Sequence, residues 1–136
     1  MTAKTYTGSC HCGLVKYEAD IDFSQGSNKC NCTFCTKVRN WCVFIKPESL
    51  RVKSGENDLI GYKARPETSA LHTFCKVCGV RTFERGFLEH LGGDYVSIFV
   101  ASLDNASADE IMSGAIRHAN GLDNDWTNVP ADIRTL

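Results

Sequence analysis

The segment "LVKYEADI" (14–21) alternates along its length, and Val15, Tyr17, Ala19 and Ile21 fall on one face. That is the period of a half-buried strand. "WCVFI" (41–45) and "LRV" (50–52), separated by Lys46-Pro47-Glu48-Ser49, read as neighbouring strands, and "LIGY" (59–62) and "ALHTF" (70–74) as two shorter ones. "YVSIFVAS" (95–102) is the most apolar run. It is expected to be a central strand, since burial on both faces erases alternation. "DFSQGSN" reads as a loop from its Gly, Ser and Asn content. "SADE" (107–110) carries the Ser-x-x-Glu capping pattern, so a short helix is expected to start at Ser107. The tail "NGLDNDWTNVPADIRTL" spreads Gly, Asn and Pro and predicts no regular element. Many short strands with Gly-rich turns predict a mainly β chain, and 136 residues are the length of one domain, 1–136.

Composition changes this picture little. A net charge of -1 leaves no general footprint for nucleic acid or an anionic membrane. Residues 1–68 hold ten Lys/Arg against seven Asp/Glu, and the rest five against nine, which suits the solvated faces of one domain. The opening "MTAKTYTGSC" has no apolar core of a signal peptide, and no run is long enough to cross a bilayer. The expectation is a cytoplasmic protein with neither nucleic-acid nor membrane partners. In a reducing compartment, eight cysteines point to metal ligation rather than disulfides.

The cysteines fall in three blocks: "SCHCG" (Cys10, Cys12), "KCNCTFCTK" (Cys30, Cys32, Cys35) and "FCKVCG" (Cys75, Cys78). On an extended segment, Cys10 and Cys12 would point to the same side. Cys75-x-x-Cys78-Gly79 is the spacing of a zinc knuckle, with Gly79 able to take a left-handed backbone. Two pairs and a triplet give seven thiolates, whereas one tetrahedral ion takes four. The economical partition joins the two pairs on a closed site and leaves the triplet with three protein ligands, as at catalytic zinc. All-thiolate ligation favours zinc over magnesium or calcium. Disulfides, and a triplet closed by Cys42 or a histidine, are the alternatives. Cys42 in "WCVF" reads as a small buried hydrophobe. His11, His72, His90 and His118 read as surface or core residues.

The pattern "GSCHCG…CNCTFC…FCKVCG" resembles the glutathione-dependent formaldehyde-activating family, which also includes centromere protein V. The resemblance begins at Gly8 and runs through "LVKYEADI" to "VSIFVASLD"; "NGLDNDWTNVPADI" resembles the ending of one branch. It implies small coiled antiparallel sheets organised around two zinc ions per chain. Cys10, Cys12, Cys75 and Cys78 would hold a structural zinc, and Cys30, Cys32 and Cys35 a catalytic one. The implied activity is that of a carbon–sulfur lyase or synthase, with glutathione as cosubstrate and formaldehyde as aldehyde, giving S-hydroxymethylglutathione. Alternatives are a protein that binds a thiol or aldehyde adduct without turnover, and a scaffold like the centromere branch. Lys37 and Arg39 could meet a glutathione carboxylate or be solvated charges. "TFCTKVRNWC" departs from the family pattern, and Trp41 could reshape the pocket. Trp126 could cover the triplet or dock on the core.

Overall fold

Tyr17, Ala19 and Ile21 are buried while Lys16, Glu18 and Asp20 face outward, the alternation that makes this segment a strand. The computed structural model describes residues 3–136. In chain order the strands are β1 (Lys4–Ser9), β2 (Lys16–Ile21), β3 (Ser27–Cys30), β4 (Trp41–Ile45) and β5 (Leu50–Ser54). They continue with β6 (Leu59–Tyr62), β7 (His72–Cys75), β8 (Phe83–Leu88), β9 (Gly93–Phe99) and β10 (Ile116–Ala119). Two short helices, α1 (Thr33–Val38) and α2 (Ala108–Ile111), interrupt them. The fold is mainly β, in small sheets that are antiparallel but for one pair. Sheet one runs β1-β2-β5, sheet two β10-β3-β4-β9-β8, and β6-β7 is a hairpin. Among the described residues only β10 and β3 run parallel, pairing Ile116 with Ser27 and Ala119 with Cys30.

The core lies between sheets one and two. Tyr6, Tyr17, Ala19 and Ile21 meet Val43, Phe83, Val96 and Ile98, all nearly inaccessible. Each such side chain contributes roughly 1.5–3 kcal/mol on leaving water. The Tyr17 ring meets Phe83 edge-on at 5.6 Å and lies over Gly8, where a Cβ would fall 2.2 Å from it. Outside, Arg51 links β5 to β2 through Glu18 and Asp20. The capping box forms as expected, and Glu110 also accepts Lys4 Nζ at 2.7 Å and the Tyr6 hydroxyl at 2.8 Å, docking α2 on β1.

Two local expectations need correction. The runs at 41–45 and 50–52 do not pair: β4 joins sheet two and β5 joins sheet one. Between them Pro47 starts a 3-10 turn, which redirects the chain instead of folding it into a hairpin. The apolar run at 95–102 gives an inner strand, β9, flanked by β4 and β8, but Val100–Ser102 closes into a 3-10 turn. No helix among the described residues is long and apolar enough to cross a membrane.

Candidate functional site

Strand β1 ends at Ser9, and Cys10-His11-Cys12-Gly13 forms a tight turn, with Gly13 at φ +83° donating its N–H to the Cys10 carbonyl. The two sulfurs therefore meet through a turn, 3.6 Å apart, and not by the alternation of an extended segment. The reason is local: Gly13 permits the left-handed backbone that turns the chain into β2. Strand β7 delivers Cys75. Its Lys-Val-Cys-Gly turn closes through Gly79, at φ +75°, which donates to the Cys75 carbonyl at 2.8 Å. The Val77 N–H points at the Cys75 sulfur, 3.4 Å away, and the Val15 N–H at the Cys10 sulfur, 3.3 Å away.

Cys10, Cys12, Cys75 and Cys78 converge with all four sulfurs within 4.8 Å of one another. Cys12 and Cys75 lie 3.7 Å apart. Four thiolates around zinc at about 2.3 Å stand about 3.8 Å from each other, so this donor set fits a tetrahedral ion. Backbone N–H groups and sulfur neighbours divide the charge among them. Cys78 is lowered to about 6, first by the Cys12 backbone, and Cys12 is raised to about 11.

The second cluster is local in sequence. Cys30 ends β3, Cys32 caps α1, and Cys35 lies one turn inside it; these three sulfurs also lie within 4.8 Å of one another. The Cys32 N–H donates to Cys30 Sγ at 3.4 Å and the Cys35 N–H to Cys32 Sγ at 3.3 Å. Among the described residues, no fourth thiol, imidazole or carboxylate completes the group. Without a cation the three cannot all ionise. Hydrogen bonds from Cys30, then Cys35, hold the Cys32 thiol down to about 2, while contact with Cys30 and Cys32 keeps Cys35 protonated far above its ordinary range. A metal cation would relieve that competition, so this set also fits one.

Residues 5–116 match the family model of the glutathione-dependent formaldehyde-activating enzyme. The chain belongs to that family. A solved structure of a Rhodobacter sphaeroides protein is similar, at 26% identity and a TM-score of 0.64, over 82% of this chain and 99% of that one. Glutathione-dependent formaldehyde activation is the activity for which the family is named, and both thiol clusters of this member could hold zinc.

The other residues singled out in the sequence lie outside both clusters. Cys42 is 3% exposed within β4, outside both clusters, and burial pushes its thiol up. Arg39 takes a left-handed backbone at the end of α1 and donates to the Thr135 carbonyl at 2.6 Å, while Lys37 is exposed. Trp41 packs against the core and donates its indole N–H to Ser27 Oγ at 2.8 Å. His11 and His90 are exposed, and His118 is half-buried on β10.

His72 is the residue whose role sequence reasoning missed. Its ring stacks on Phe34, between Cys32 and Cys35, with centroids 4.1 Å apart. Its Nδ1 lies 2.8 Å from the buried Glu84 carboxylate, to which Arg81 also donates at 3.0 Å. Arg81 in turn lies over the Phe99 ring at 3.8 Å. This polar network backs α1 against the second face of sheet two. Alternation puts Glu84 on the face opposite Phe83, where it would read as solvent-facing, so the sequence carried no signal for this network.

Proposed function

We propose that the protein is a zinc-dependent carbon–sulfur lyase or synthase acting on a glutathione adduct, with residues 1–136 forming one zinc-binding unit. Cys10, Cys12, Cys75 and Cys78 would hold a structural zinc, and Cys30, Cys32 and Cys35 a second. The observation that carries the reading is the triplet: three convergent thiols with no fourth protein ligand among the described residues. When bound there, zinc supplies a Lewis acid that favours the thiolate form of an incoming thiol. The chain's own contribution is to aim three sulfurs at one point and spread their charge. The N–H groups of Cys32 and Cys35 donate to Cys30 and Cys32, and α1 is fixed from behind by His72 and Glu84. In the forward direction the glutathione sulfur forms a bond to the formaldehyde carbon. The carbonyl π pair moves to oxygen, which takes a proton equal in number to the one the thiol gives up. The product is S-hydroxymethylglutathione, and the reverse reaction breaks the same carbon–sulfur bond.

The uncatalysed reaction already proceeds, so the test is exchange at equilibrium. Two-dimensional NMR exchange between formaldehyde plus glutathione and their adduct would be measured with zinc-loaded protein and with Cys32→Ser. Acceleration by the wild type alone is expected. Equal rates with and without protein would overturn the catalytic reading.

A further inference from the structure

We infer that Trp126 forms a wall of the thiol site beside Cys30 and selects thiols that carry a peptide over small ones. The inference rests on the function proposed above. Gly121 carries the geometry. A Cβ at Gly121 would stand 2.8 Å from Cys30 Sγ, 2.9 Å from Trp126 Cη2 and 3.1 Å from Cys32 Cβ. The indole edge and the Cys30 sulfur thus converge on the same point, and the missing side chain of Gly121 is what lets them approach.

The indole is fixed, although 58% exposed. Its N–H donates to Asn124 Oδ1 at 2.7 Å, and Asn124 itself takes a left-handed backbone at φ +53°. Asp125 accepts the N–H groups of Thr127 and Asn128, which stiffens the loop just after the ring. The same segment is sewn to the triplet through Asn31. That residue donates to Asn120 Oδ1 at 2.9 Å, and its own Oδ1 accepts the Leu122 N–H at 3.0 Å.

A large apolar ring held still in solvent beside metal-ligating sulfurs fits a ligand better than it fits the core. Aromatic faces gain most from flat, partly apolar groups such as amide planes, of which glutathione has two and a two-carbon thiol none. The wall also lies beyond the family match, which ends at residue 116. The matched thiol cluster and the tail that follows it therefore meet in one site.

Two measurements test this without turnover. The first is cobalt(II)-substituted protein, whose thiolate-to-cobalt absorption reports an added thiol at the triplet. Wild type, Trp126→Ala and Trp126→Phe would be titrated with glutathione and with 2-mercaptoethanol. The expected result is glutathione binding weakened about tenfold by Trp126→Ala, the scale of one aromatic contact. Trp126→Phe should recover most of it, and 2-mercaptoethanol should bind all three alike. The second is fluorine NMR of zinc-loaded protein labelled with 5-fluorotryptophan, which carries two tryptophans. The Trp126 resonance, identified by its loss in Trp126→Phe, should shift with glutathione and not with 2-mercaptoethanol. Normal glutathione binding by Trp126→Ala, with an unmoved resonance, would overturn the wall alone. If neither thiol changes the cobalt spectrum of the wild type, the wall and the proposed function fall together.

Discussion

The two thiol clusters are built from the same residue type and differ in how they use the chain. Cys10 and Cys12 come from the β1–β2 turn, while Cys75 ends β7 and Cys78 lies in the turn after it, so an ion on them would staple sheet one to the β6–β7 hairpin. Cys30, Cys32 and Cys35 lie within one short stretch that runs from the end of β3 into the first turn of α1. An ion there would join nothing distant. On the proposed reading the long-range cluster would hold the fold and the local one would do chemistry, and separation along the chain distinguishes the two groups as clearly as their number of thiols.

The largest expected effect breaks this contrast or confirms it. Structural zinc is worth about 10–16 kcal/mol in small peptides, as much as the whole net stability of a typical domain, about 5–15 kcal/mol. Cys78→Ser should therefore unfold the chain or lower its melting temperature drastically. Cys32→Ser should keep the far-ultraviolet circular dichroism of the wild type and lose one zinc by elemental counting. Equal damage from both substitutions would erase the division of roles.

A smaller effect sharpens it from the triplet side. Gly121→Ala puts a Cβ where Cys30 Sγ and Trp126 now converge, so the triplet or the indole must shift. The variant should release one zinc to a chelator faster than the wild type. Its melting temperature should change by no more than a few degrees, because Gly121 touches neither the core nor the other cluster. Unchanged zinc release would show that the tail does not bear on the triplet.

The smallest effect is electrostatic and lies on the other sheet. Arg51 and Thr5 hold the Asp20 carboxyl down to about 2. A carboxyl depressed on folding adds stability above its ordinary pKa, near 4, and loses it as the pH falls from there towards 2. Asp20→Asn should lower the melting temperature slightly at pH 7 and leave two zinc ions bound. The difference from wild type should shrink below about pH 4. A loss of metal would mean that sheet one and the clusters are coupled more tightly than their contacts suggest.

How legible these regions were follows from the range of their interactions. Alternation at Val15–Ile21 became a strand because it buries a face whose pattern is written locally, and the apolar run 41–45 became one that buries Cys42 and Val43, while 59–62 stays largely exposed and is held by pairing with β7. Strands β3 and β10 escaped notice because "SNKC" and "IRHA" are held by parallel pairing with each other, a partnership no local pattern announces. The grouping of seven cysteines by spacing matches the two sets of sulfurs that the fold brings together. His72 and Gly121 were not legible, since their meaning comes from Phe34 and Cys30, far from them in the chain.

The parallel β10–β3 pair also sets an order of assembly during synthesis. The four-thiol cluster has all its ligands once Cys78 has left the ribosome. Strand β3, which ends at Cys30, gains its second partner only when residues 116–119 emerge, and the wall beside Cys30 comes later still. A nascent chain emerging N-terminus first would thus bring the four-thiol group together before residues 116–126 close around the triplet.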